Sequence, residues 1–251
     1  MDGARAADLG AADAPERSEA LDALTAEVVA CRRCPRLVEW RERTAREKVA
    51  RYRDEKYWGK PVPSFGDPAA RILIVGLAPA AHGGNRTGRM FTGDRSGDFL
   101  YRALHENGLS SSAISRRRDD GLTLTGVRIS AIVHCAPPAN KPTTDERDAC
   151  LPVLGRELVL LPDVRVIVAL GGFGWDGVLR ALAGLGETIP RPRPRFGHGA
   201  EVRVGPYLLL GSFHPSQQNT FTGRLTPEML GAVLARARVL AGIDPIEGHR
   251  C

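Results

Sequence analysis

The sequence predicts an α/β protein built on a parallel sheet, and three observations carry that prediction. Four short apolar runs recur along the chain: Arg71 to Val75, Val127 to Val133, Val164 to Leu170 and Tyr207 to Phe213. Each looks like a strand buried on both faces, the pattern of a parallel sheet covered by helices. Segments of helical periodicity separate the runs, so strand and helix take turns, and no internal repeat interrupts that order.

The elements follow in sequence. Residues 1 to 17 are rich in Ala, Asp and Gly without apolar periodicity and are expected to form a disordered tail, leaving 18 to 251 as a single domain. From Ser18, Leu21, Leu24, Val28 and Val29 keep helical spacing and lead directly into Cys31, which places the first cysteine at a helix end. Arg36 to Arg53 is dense in both signs of charge and reads as a solvated helix face, and Trp58 to Asp67 reads as a loop. Helices are predicted over Phe99 to Glu106, Asp145 to about Leu161, Trp175 to Leu182 and Pro227 to Ala241. Thr143 with Glu146 fits a capping box, and Thr226 before Pro227 fits a capped helix start. Pro152 is expected to kink or restart its helix.

Composition narrows the function. At 251 residues, 43% hydrophobic and 25% charged, the chain can bury a full core, and a disulfide-stapled miniprotein is excluded. Thirty-five Lys and Arg against 29 Asp and Glu give a charge of +6, which favours a polyanionic partner. No apolar run approaches the roughly 20 residues of a membrane helix, and the first residues carry no apolar leader, so a cytoplasmic protein without a membrane partner is expected. Arg191 to Arg195 alternates cations with prolines and reads either as a basic loop for phosphates or as a solvated connector.

Four segments carry chemistry. Cys31-Arg-Arg-Cys34 is a C-x2-C pair, followed far along the chain by Cys135 and Cys150; four thiolates in this pattern suit an iron-sulfur cluster or a zinc ion, against buried free thiols. Cys251 is read as a spare. After the first strand comes a glycine-rich loop, Gly76 to Asp94, at the strand end where open α/β sheets bind ligands. It matches neither a dinucleotide fingerprint nor a P-loop. Within it, Phe91 can stack on a flat ring or simply pack, and Asp94 can orient water or cap the next helix. The second strand ends in Val133-His-Cys-Ala-Pro-Pro-Ala-Asn140, where the Asn140 amide can read a base edge or make an Asx turn. The last strand ends in Phe213-His214-Pro-Ser216, where His214 can donate to a developing anion.

This ordered set, from GLAPAAHGGNRTGRMFTGD through VHCAPPANKP and HPS to the four cysteines, resembles the family 5 (type B) uracil-DNA glycosylases over about Leu21 to Ala241. The resemblance implies a three-layer α/β/α sandwich around a four-stranded parallel sheet, with a [4Fe-4S] cluster on Cys31, Cys34, Cys135 and Cys150. It implies a monomeric, monofunctional enzyme of base excision repair that flips a deaminated base out of single- or double-stranded DNA. Hydrolysis then leaves an abasic site. Gly76, Ala78, Phe91, Asn140 and His214 are expected at the base, with Phe91 stacking on it, Asn140 holding it and His214 bonded to the departing oxygen. Asp94 is expected to orient water, and Ser216, Gln217 and Arg224 to meet DNA, the stretch from Ser216 to Arg224 forming a wedge loop. The chain departs from better-known relatives in lacking a carboxylate in Gly76-Leu-Ala-Pro79, and Ala131 stands where family 4 enzymes have a uracil-reading Asn. The expected range therefore extends to hypoxanthine and xanthine. Two other classes compete: a non-catalytic binder of damaged DNA, and a nucleotide or phosphoribosyl hydrolase with a zinc site.

Overall fold

The computed structural model describes residues 14 to 244. Residues 1 to 13, most of the expected tail, and Cys251 lie outside the described residues. Helix α1 spans Ala14–Ala30, so its first turn begins ahead of the expected boundary at residue 18. Helix α2, Pro35–Glu47, starts with proline in its first turn, where the missing N–H costs nothing.

The four expected strands are present as β2 (Ile72–Gly76), β3 (Val127–Ala131), β4 (Val166–Leu170) and β6 (Tyr207–Ser212). They pair parallel in the order β3-β2-β4-β6. Two antiparallel edge strands, β1 (Phe65–Gly66) beside β3 and β5 (Glu201–Val204) beside β6, complete a six-stranded sheet. Neither edge was expected from the sequence. β1 has two residues, inside a stretch read as a loop, and β5 is charged and alternately exposed, which suits an edge and hides it from an apolar search.

Alternate strand residues feed opposite layers. Ile72, Ile74, Val127, Ile129, Val166 and Val168 pack with Leu100 and Leu104 of α4 (Arg95–Glu106) and Leu230 and Leu234 of α8 (Pro227–Leu240). Leu73, Val75, Ile167 and Ala169 pack with Leu21 of α1, Leu158 of α5 (Thr144–Leu160) and Leu179 of α6 (Gly172–Gly184). The period-two alternation of a strand thus builds a three-layer α/β/α sandwich with two cores.

The capping predictions hold: Thr143 and Glu146 form the reciprocal box, and the Thr226 hydroxyl accepts from the Met229 N–H. Pro152, expected to kink or restart its helix, does not restart it: it lies inside the single helix α5. Packing of that helix on α1 and α6 offsets the single ladder bond that a proline removes. The solvated-face reading of α2 also needs correction, because Arg41 is only 2% exposed and Leu37 and Thr44 are buried with it. The Arg191 to Arg195 segment rests against α6, where Arg193 pairs with Asp176 at 2.7 Å and the Trp175 Nε1–H donates to the Pro194 carbonyl at 3.0 Å.

Candidate active site at the sheet edge

Parallel pairing points β2, β3 and β6 the same way, so the three motif-bearing loops leave one edge of the sheet together. Ala78, Phe91, Asp94, Asn140, His214 and Ser216 line a single cavity of about 290 Å³ there, with Leu77 and Met90. The Phe91 and His214 rings stand 5.7 Å apart, tilted by 34°.

Phe91 is placed by backbone strain and by a glycine. Its φ is 50°, a left-handed conformation that costs an ordinary residue on the order of 1 kcal/mol or more. A rigid support holds it there. The buried Arg89 guanidinium bonds Asp120 at 2.5 Å and the hydroxyls of Ser115 at 2.7 Å and Thr92 at 3.2 Å, and the Tyr101 hydroxyl donates to the Met90 carbonyl. A side-chain carbon at Gly76 would stand 2.7 Å from the Phe91 ring. Gly76 therefore makes room for the aromatic ring, while the cavity wall itself begins at Leu77.

Asp94 caps the next helix from the wall of the cavity. Its Oδ1 accepts from the Gly97 N–H at 2.9 Å as the N-cap of α4, and the same residue lines the cavity. Burial pushes its carboxyl pKa up against the pull of backbone donors. A Cβ at Gly83 would fall 2.1 Å from its Oδ2, so only glycine lets the main chain lie over the carboxylate.

Asn140 closes a 3-10 turn, Pro138–Asn140, at φ 54°; it is exposed at the cavity mouth, and its side-chain amide makes no hydrogen bond among the described residues. The turn is made by the backbone, which leaves the amide available for a ligand. His214 is fixed by its surroundings: the Asn219 amide donates to its carbonyl at 2.8 Å, and the preceding Phe213 N–H donates to His198 Nδ1 at 3.2 Å. Burial alone lowers its pKa to about 4, so the imidazole is neutral at physiological pH.

The stretch expected as a wedge loop is partly helical. Ser216 is the N-cap of α7 (Gln217–Phe221), and Phe221 at its end is 66% exposed. Gln217 lines a neighbouring cleft, and the Arg224 guanidinium sits 4.5 Å over the Phe213 ring, away from the cavity wall. Ala131 is buried in register with Gly76 and offers no polar group. Sequence reading missed His198 and the Tyr57–His82 pair, because an isolated histidine carries no motif; only its position against another loop gives it a task.

The four cysteines also converge. Cys31 follows α1, Cys34 is the N-cap residue of α2, Cys135 follows β3 and Cys150 lies on α5; all four are free and line one cavity of about 130 Å³. Among the described residues no three His, Cys, Asp or Glu side chains are grouped closely enough to hold one metal ion. A tetrahedral zinc would bring thiolates to about 3.8 Å from one another, whereas a cluster spaces its ligands more widely. Burial pushes the Cys135 thiol up to about 11 and Cys150 up to about 12, so a group binding thiolates here must bring positive charge of its own. Arg41 enters the same cavity, its Nη1 donating to Cys135 Sγ at 2.9 Å, and its buried Nε has no hydrogen-bond partner among the described residues. A buried cation with a spare donor suits an anionic thiolate assembly, and the donor set fits an iron-sulfur cluster.

Together these features define a class: a three-layer α/β/α protein with a strand-end cavity lined by an aromatic ring and a buried imidazole, and a separate thiol cavity. The family model described as the uracil DNA glycosylase superfamily matches residues 63–238. A type-5 uracil-DNA glycosylase of Mycobacterium tuberculosis is 56% identical over 223 residues, covering 88% of this chain and 82% of that protein. Proteins of the same name from Thermus thermophilus and Pyrobaculum aerophilum are 54% and 47% identical, covering 88% and 86% of this chain and 99% and 91% of theirs. The chain belongs to the uracil DNA glycosylase superfamily and, within it, to the type-5 DNA N-glycosylases. Among the described residues no helix is long and apolar enough to cross a membrane.

Proposed function

We propose that the protein removes uracil from DNA and also accepts hypoxanthine and xanthine, leaving an abasic site. The convergence of Phe91, Asn140, Asp94 and His214 on one cavity carries this reading. Extrusion of the base costs a few kcal/mol, least at mispaired or damaged positions, so deaminated bases are favoured before any contact forms. Phe91 stacks on the base and the free Asn140 amide bonds its edge. As the C1′–N bond breaks, negative charge grows on the base, and the neutral His214 imidazole donates a hydrogen bond to it. The water oxygen ends on C1′, and the proton it loses neutralises the released base. Asp94 orients that water. Leu77 and Ala78 line the cavity without a carboxylate, and the buried Ala131 adds no amide, so fewer fixed polar groups reject a purine.

Cys31, Cys34, Cys135 and Cys150 would hold a [4Fe-4S] cluster with a structural part, tying α1, α2 and α5 to the loop after β3. Purified protein is expected to contain iron and sulfide and to absorb visible light; Cys135→Ser should lose colour and stability together. Duplexes containing uracil, hypoxanthine or xanthine, scored by alkali-revealed abasic sites, test the activity. No cleavage with any of the three would leave the non-catalytic binder as the better reading, and a borohydride-trapped DNA adduct would contradict simple hydrolysis.

A further inference from the structure

Beside the base cavity, and sharing Ala80, Asp94 and Asn140 with it, lies a second cleft of about 410 Å³ walled in part by Arg51, Tyr52, His82, Arg95 and Gln217. Arg51 and Tyr52 come from a 3-10 turn, Ala50–Tyr52, well outside the three strand-end motifs. The arginines around this cleft divide into two kinds. Arg86 is consumed by the structure, pairing with Glu55 and bonding the carbonyls of His82 and Gly93. Arg51 and Arg95 have no carboxylate within ion-pair distance among the described residues; their guanidiniums rest over the rings of Tyr52 at 5.1 Å and Phe221 at 5.0 Å. Aromatic stacking fixes a guanidinium's plane while leaving its N–H fork open to an anion.

His82 is a third polar group at the cleft. Its Nδ1 lies 3.1 Å from the hydroxyl of Tyr57; with that hydroxyl as donor the ring hydrogen sits on Nε2, the form that a phosphate would take up. The carboxylates nearby do not compete strongly, since Asp94 is capping α4 and Glu55 is held by Arg86.

We propose that this cleft grips a phosphodiester of the DNA strand next to the extruded nucleotide, with Arg51 and Arg95 as charged contacts and His82 Nε2–H as a neutral one. The assignment rests on the DNA reading above and specifies where the strand runs. Its test is equilibrium binding of the full chain to a duplex carrying a tetrahydrofuran abasic analogue, measured across a range of salt. Arg51→Gln and Arg95→Gln should each weaken binding and reduce the slope of log K against log salt by about 0.9, and the double variant by about twice that. His82→Phe should weaken binding with the slope unchanged. Arg203→Gln removes the same charge from β5 at the opposite end of the sheet and should alter neither quantity. Slopes for Arg51→Gln and Arg95→Gln equal to that of Arg203→Gln would overturn the cleft assignment. If the unaltered protein excises no base, the functional reading falls on its own, while the slopes still decide the cleft.

Discussion

The ionisation state of His214, on which its proposed donor role depends, has a measurable stability signature. Burial lowers its pKa from the ordinary 6.5 to about 4, with no neighbouring charge contributing. The unfolded chain therefore takes a proton as pH falls through about 6.5, while the folded protein does not until about 4. Below 6.5 the unfolded state binds more protons, so stability falls as pH falls across this window and is fully present above it. At about 1.4 kcal/mol per pH unit, the loss approaches about 3 kcal/mol on reaching the folded pKa. Urea unfolding of the unaltered protein and of His214→Gln, at matched pH values from neutral to about 4, isolates this part, because His82, His134 and His198 are common to both. The variant should show a flatter decline by about 2 to 3 kcal/mol. Parallel pH curves, or a His214 ring resonance that titrates near its ordinary value, would refute the desolvated imidazole on which this reasoning rests.

Other consequences are equally direct. Asp94→Asn should keep the α4 cap and lose single-turnover excision, whereas Asp94→Ala should lose excision together with about 1 kcal/mol of stability; full rates in both would remove Asp94 from water positioning. Gly76→Ala puts a carbon 2.7 Å from the Phe91 ring, and should lower excision at least tenfold by displacing that ring, with base-analogue affinity reporting the same loss. The His198 ring stacks on Phe213 at 5.2 Å and accepts from its N–H, which makes it a positioning residue for His214. His198→Phe keeps the stack without the acceptor and should depress kcat more than it raises KM, while His198→Asn, which can still accept, should restore much of the rate; equal kinetics for Phe and Asn would dismiss the bond.

The parallel sheet was legible because β2, β3, β4 and β6 fall in short runs rich in apolar residues, a pattern that local sequence records directly. The edges were not, since a strand such as Glu201–Val204 is defined by its partner and not by its own side chains. The candidate site divides in the same way. Motif residues at strand ends announced Phe91, Asp94, Asn140 and His214, but the charged run containing Arg41 gave no sign that one guanidinium turns inward to the thiol cavity.

Sequence by itself determined the alternation of strand and helix, the capping box of α5, the cysteine quartet and the candidate site residues, because those depend on spacing along a chain. Tertiary structure alone decided that three loops far apart in sequence share one cavity, that Phe91 is held at positive φ over a glycine, and that His214 is neutral. Burial and convergence are properties of neighbours brought together by strand order, and no local window of residues contains them.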